Sequence, residues 1–329
     1  MSRFDTSETR RAGLRARLAR QPPGGVSTRV MSAIAPSVSS TVRGVAPPRG
    51  CRRWRPRDRV PGRPVAPTLA PSNRRARLVG VRAAAAYDTT WSNPTGAVLT
   101  PLVDGLVWAA ERPFTWNAID VGGKMGVVRL SDGSLWVHSP VDLDGPTRAA
   151  VDALGPVRHI VSPNFEHVKW AAQWKRAYPS ATLWGCPGMR EKKPDIPWDA
   201  EVGRDDAAPP EWFDEFNLAF FDCERNPFVG GAFFNEVVFA HAPSRTLFVT
   251  DLFWNYPGGG DVPLGTRVWK FGMDVVYLPF YKRAMVHDAN EYEATVERVC
   301  AWDFDAMLPC HGSFVPSGAK RVVRQHLAL

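Results

Sequence analysis

Three polar positions in the 329-residue chain fall just after runs that read as β-strands: the stretch Ser162 to His167, Asp251, and His311. Such strand-end loops commonly carry chemistry, because a sheet fixes the loop ends while the loop stays accessible. An imidazole and a carboxylate that converge there can share a proton or position a water. Taken singly, each has a plainer use, a histidine in a Pro/Gly loop as a hydrogen-bonded structural residue and an aspartate after a strand as a turn former. Cys310 beside His311 raises nucleophilic catalysis. Neighbours on an extended chain point to opposite faces, which argues against that pair. The order of the three positions along the chain is more informative than any one of them.

The elements that must hold these residues read as follows. Gly126–Leu130 and Ser134–His138 are apolar-rich runs around Ser131-Asp132-Gly133, a hairpin signal. Thr147 to Leu154 places Ala150, Val151 and Leu154 on one helical face and stops at Gly155-Pro156, after which Val157–Val161 reads as a buried strand. A helix is expected from Pro163-Asn164, with Asn164 as N-cap, to Tyr178 before Pro179. Ala181–Gly185 is a short strand and 186–211, with five prolines, a long loop. Phe216–Phe221, Phe233–Ala240 and Thr246–Thr250 read as strands, and Tyr277–Tyr281 as helix end or strand. Asp288 to Glu291 is a capping-box pattern for the helix that follows. Phe304–Leu308 is a strand, Pro309–Gly312 its terminal loop, and Ser317–Leu329 a closing helix. Hairpin-rich strands mixed with helices, in two comparable halves, predict an α/β (α+β) fold of packed sheets with helices outside.

Charge divides the chain. The whole carries +8, but residues 1–84 hold nineteen Arg and no Lys against Asp5, Glu8 and Asp58, a local +16 that leaves −8 for the remainder. The basic pI therefore says nothing for nucleic-acid binding, which needs Lys/Arg to neutralise phosphates where the domain is acidic. Residues 1–84 contain ten prolines and only Phe4 and Trp54 as aromatics, too little apolar surface to offset chain ordering. This segment is expected to be disordered and, being Arg-rich and acid-poor, to act as an organelle transit peptide read by the import machinery. Residues 85–329 hold twelve of the thirteen Trp and form one expected domain. Cys186, Cys223, Cys300 and Cys310 make no CxxC pair, so buried free thiols are expected rather than a zinc ribbon or a thioredoxin-type site. No apolar run approaches the roughly 18 residues of a membrane span.

Four stretches carry a family resemblance: Ser162-Pro-Asn-Phe-Glu-His-Val-Lys-Trp170, Tyr178-Pro-Ser-Ala-Thr-Leu-Trp184 through Lys193-Pro-Asp195, Val237 through Asp251, and Leu308-Pro-Cys-His-Gly-Ser-Phe314. With Gly126–Pro140 they cover most of 110–320, and they resemble the metallo-β-lactamase superfamily, in an uncharacterised cyanobacterial, algal and plant branch catalogued as a domain of unknown function. The resemblance implies an αββα sandwich. It also implies a plastid protein, located in the chloroplast stroma, with the mitochondrion as the alternative.

Active superfamily members bind one or two metals, usually zinc, through a T-H-x-H-x-D-H loop, a further His, a bridging Asp and a last His. Laid on Ser162–Val168, the loop places Pro163, Phe165 and Val168 at the three His positions and His167 at the Asp position. The following His has no counterpart near Gly231-Ala232, His241 lies downstream, and the early Asp of the first motif falls near His138. Asp251 and His311 match the bridging Asp and the last His, and are the expected catalytic pair. Two ligands do not hold a catalytic zinc, so the first expectation is no cofactor. Zinc or another divalent metal becomes possible if His167 and His241 join Asp251 and His311 as ligands. The functional expectation is a dismantled hydrolase site with a binding or non-canonical role toward a small molecule or a protein. The alternative is a hydrolase of an ester, thioester or phosphodiester.

Overall fold

The structure, a computed structural model, describes residues 86–204 and 207–329; the expectations for the 1–84 leader lie outside the described residues. Two hairpins open the described chain, β1 (Thr100–Val103) with β2 (Val107–Arg112) and the small β3 (Thr115–Trp116) with β4 (Ile119–Asp120). The expected hairpin follows as β5 (Gly123–Arg129) and β6 (Leu135–His138). Its turn has the chemistry the sequence specifies: Gly133 takes φ +82° and Asp132 Oδ1 accepts the Ser134 amide at 2.8 Å. Next come α1 (Gly145–Leu154), β7 (Val157–Ser162), α2 (Ala171–Ala177), β8 (Thr182–Gly185), α3 (Met189–Lys192) and β9 (Ala200–Glu201). These strands form a sheet in the order β1-β2-β5-β6-β7-β8-β9, antiparallel up to β6 and parallel beyond it.

The second sheet runs β10 (Phe216–Phe221), β11 (Glu236–His241), β12 (Thr246–Asn255), β13 (Ala306–Gly312). Between its last two strands lie α4 (Leu264–Gly272), α5 (Leu278–Phe280) flanked by π-helical turns, and α6 (Ala289–Ala301); α7 (Ala319–Leu327) closes the chain. The sheets stack face to face. Trp136 of β6 meets Phe239 and Phe248 of the second sheet with ring centroids 5.3 and 5.5 Å apart. Gly126 is what lets them close, since a Cβ there would lie 2.8 Å from the Phe248 ring. Val151 of α1 and Trp174 of α2 cover the outer side of the first sheet, while Tyr292 and Val299 of α6 and Val323 of α7 cover the second. The layering is αββα, as expected.

Several boundaries differ from the sequence reading. The helix expected over 164–178 is only Ala171–Ala177, because Asn164 spends its side chain on the loop amides of Glu166 and His167 and the chain to Trp170 stays irregular. The loop 186–211 carries α3, β9 and a 3-10 turn at Pro210–Trp212. Pro309–Gly312 is strand rather than loop, and Tyr277–Tyr281 is helical. The four expected thiols are free and buried. Among the described residues no helix is long and apolar enough to cross a membrane.

Candidate metal centre

Asp251 owes its position to an irregularity in strand pairing. β12 and β13 run in register from Thr246↔Ala306 to Val249↔Pro309 and resume at Trp254↔His311, so the stretch Thr250 to Phe253 bulges opposite Cys310. A bulge frees backbone amides, and here the buried carboxylate of Glu236 takes them: it accepts from the amides of Thr250 at 2.6 Å, Asp251 at 2.8 Å and Leu252 at 3.0 Å. Burial and the neighbouring Asp251 charge raise the Glu236 pKa, against the backbone donors that favour its ionised form.

His167 is set by Asn164. The Asn164 carbonyl oxygen accepts the amides of Glu166 and His167 at 3.0 and 2.9 Å, while its amide nitrogen donates to Asp251 Oδ2 at 2.7 Å and to Thr250 Oγ1 at 2.9 Å. One side chain thus ties the loop after β7 to the bulge of β12. His311 is placed by Gly312, whose φ of +91° and whose closeness to Asn255, 2.1 Å from a built Cβ to the carbonyl carbon, leave room for no other residue.

The three side chains converge. His167 Nε2 stands 3.2 Å from Asp251 Oδ2, His311 Nε2 stands 3.5 Å from Asp251 Oδ1, and the donor atoms of all three lie within 4.8 Å of one another. Their outer atoms are already engaged: His311 Nδ1 donates to the Gly122 carbonyl at 2.8 Å, and His167 Nδ1 meets Ser139 Oγ at 2.6 Å. This pattern fixes each imidazole with Nε2 toward the common centre, as histidine ligands are commonly held. Burial works against charge on His167, yet the Asp251 carboxylate and, after it, Cys310 outweigh burial and hold the imidazole well above its ordinary pKa. Burial likewise opposes the Asp251 charge, and His167 with His311 overcomes it, holding the carboxyl far below the usual range. The donor set suits one divalent cation, because two imidazole nitrogens and a carboxylate oxygen, all within 4.8 Å of one another, are ligand types that zinc and similar ions take. Among the described residues no other group of three such side chains is assembled.

His241, expected as a fourth ligand, does not join. Its ring is held between Glu215 Oε2 at 3.1 Å and Ser244 Oγ at 2.8 Å, at the end of β11 remote from the bulge. Both ring nitrogens are spent there. His138, near the expected early Asp, is buried beside Trp136, and burial drives its pKa down to about 3, so it is a neutral core residue. The sequence reading passed over Glu236, Asn164 as a tether, and Ser139. A signal existed for Glu236: a charged residue opening the otherwise apolar run Val237–Ala240.

A second buried carboxylate shapes the wall next to the centre. Glu224 Oε1 accepts the amides of Phe234 at 2.7 Å and Asn235 at 2.8 Å, and burial pushes its pKa up to about 7. An acid whose folded pKa exceeds its unfolded value loses stability as pH rises through that window, here from 4.5 to about 7 and by about 3 kcal/mol. Glu224→Gln keeps a carbonyl acceptor and does not titrate. The stability gap between variant and wild type, measured by urea unfolding, is expected to shift in the variant's favour by that amount between pH 4.5 and 7.5. A gap independent of pH would contradict it.

No curated protein matches the sequence. Among solved structures, the DIM-1 metallo-β-lactamase exposed to ceftazidime aligns at 11% identity over 70% of this chain and 95% of its own, with a TM-score of 0.48. The FIM-1 metallo-β-lactamase of Pseudomonas aeruginosa in its mono-zinc form aligns at 14% identity over 70% of this chain and 93% of its own, with a TM-score of 0.45. A flavo di-iron protein variant from Thermotoga maritima aligns at 14% identity over 70% of this chain and 60% of its own, with a TM-score of 0.48. The described chain has αββα layering, and its residues 104–258 match the model of a domain of unknown function, DUF4336.

Proposed function

We propose that the domain is a hydrolase that works with one divalent metal ion held by His167, Asp251 and His311. The observation that carries this reading is the convergence of three donor atoms within 4.8 Å, with both histidines already anchored through Nδ1. A divalent ion bound there would acidify a water and polarise an acyl or phosphoryl oxygen. The chain's own residues do the positioning. Ser139 and the Gly122 carbonyl orient the two rings, Asn164 holds the His167 loop against Asp251, and Glu236 keeps the bulge in shape. The competing reading is a dismantled site kept as a binding cleft. It draws on the His167–Asp251 ion pair, which satisfies both groups without a metal.

Metal content separates the two. After stripping with a chelator, the protein dialysed against zinc, iron(II) or manganese(II) is expected to retain one equivalent per chain of at least one of them. Retention of none would leave the ion pair as a structural feature and sink the hydrolase reading. Two equivalents would show ligands beyond this triad, since Pro163, Phe165 and Val168 offer no lone pair.

A further inference from the structure

The triad opens on a cavity of about 490 Å³, within the usual size of a site for a small organic molecule. Its walls come from parts of the chain far apart in sequence: Phe114, Trp170, Phe234, Trp254, Trp269 and Tyr277 all face it. The same face of α4 that supplies Trp269 is followed by Met273, an adaptable filler of apolar surface. Cations are scarce by comparison. Lys124 is buried and neutralised by Glu111 at 3.0 Å, and Lys169 lies over the rings of Phe114 and Trp170 at 5.0 and 4.6 Å. Among the described residues no arginine lines the cavity. A phosphodiester or nucleotide brought into such walls would lose its hydration and gain no fork of guanidinium donors in return. A ring-bearing apolar body would exchange water for aromatic faces and edges, each contact of that kind contributing to binding.

We propose that the substrate is a neutral carboxylic ester or thioester with a large apolar, ring-bearing group, rather than a phosphodiester. The reaction rests on the hydrolase reading above; the ligand class rests on the cavity alone. Water adds through its oxygen to the acyl carbon, the C–O or C–S bond breaks with its electron pair leaving on the alcohol oxygen or thiol sulfur, and the leaving group takes a proton. The products are a carboxylic acid and an alcohol or thiol, with no change of oxidation state.

The test is a titration of the full chain with N-phenyl-1-naphthylamine, a neutral apolar fluorophore, followed by competition. Saturable binding of one probe per chain is expected, displaced by 2-naphthyl esters and not by bis(4-nitrophenyl) phosphate at equal concentration. Met273→Trp fills the cavity and is expected to weaken probe binding at least tenfold. Trp116→Arg, at a residue half exposed on the rim, keeps the test open if the first variant misfolds, and is expected to weaken binding at least threefold. Absence of saturable binding, indifference to both substitutions, or stronger competition by the phosphodiester would overturn the ligand class. Asp251→Asn is expected to lose ester hydrolysis. Probe binding with no ester or thioester turnover under any metal would sink the hydrolase reading and leave the ligand class standing.

Discussion

Replacing Asp251 with asparagine is expected to weaken metal binding at least a hundredfold, about 2.7 kcal/mol, and to abolish turnover of any substrate the metal form hydrolyses. The substitution is nearly isosteric, so the loss isolates charge from shape. Asparagine still presents an oxygen to Asn164, and the bulge amides stay with Glu236, because the residue 251 amide donates from the backbone. What disappears is the anion between two imidazoles. His167 then faces burial without its carboxylate, and its pKa drops from the elevated position that Asp251 gives it. Affinity is read by competition with a chromophoric chelator, and ring protonation by the pH dependence of the His167 resonances. Wild-type affinity in the variant would remove Asp251 from the ligand set. An unaltered His167 titration would remove the ion pair.

The second large effect belongs to a residue that touches neither metal nor substrate. Glu236→Ala takes the acceptor away from three backbone amides, those of Thr250, Asp251 and Leu252, and from the Asn164 side chain at 3.3 Å. Each buried donor left unmade costs about 1 to 3 kcal/mol, so the substitution is expected to cost about 3 to 6 kcal/mol once water has entered the gap. At about 2 to 4 °C per kcal/mol for a domain of this size, the melting temperature falls by roughly 6 to 24 °C. The loss should reach the metal too. A bulge without its cap no longer aims Asp251, and supporting partners of ligands typically carry about ten- to a hundredfold in affinity. Glu236→Gln should fall between, because an amide has one oxygen where the carboxylate has two. Calorimetric melts with and without zinc check both parts. A shift in the alanine variant within about 2 °C of wild type would mean that water already satisfies the amides and that the carboxylate is dispensable.

The sequence alone determined the elements whose signals are local. Asp132-Gly133 marks its own hairpin, Asp288 caps its own helix by accepting the Glu291 amide at 3.0 Å, and apolar runs mark β5 to β8 and the four strands of the second sheet, but not β1, β2 or β9. It also ordered Ser162–His167, Asp251 and His311 along the chain, because that order is a property of the chain, although Asp251 lies within β12 and His311 within β13 rather than in loops after them. Distance between them is not. Whether His167 reaches Asp251 depends on the register of β12 against β13 and on a bulge that no local pattern announces. His241 has the same side chain as His311 and an equally plausible place in the sequence, yet Glu215 and Ser244 claim it. Glu236 sits one residue before an apolar run and becomes the cap of a bulge fifteen residues downstream. Buried polar groups must find partners wherever folding brings a donor or acceptor within reach, and that choice is made across the sandwich rather than along the chain. Local signals therefore marked most of the strands and longer helices and the order of the candidate ligands, while only tertiary packing decided which of them face one another and which buried carboxylates hold them there.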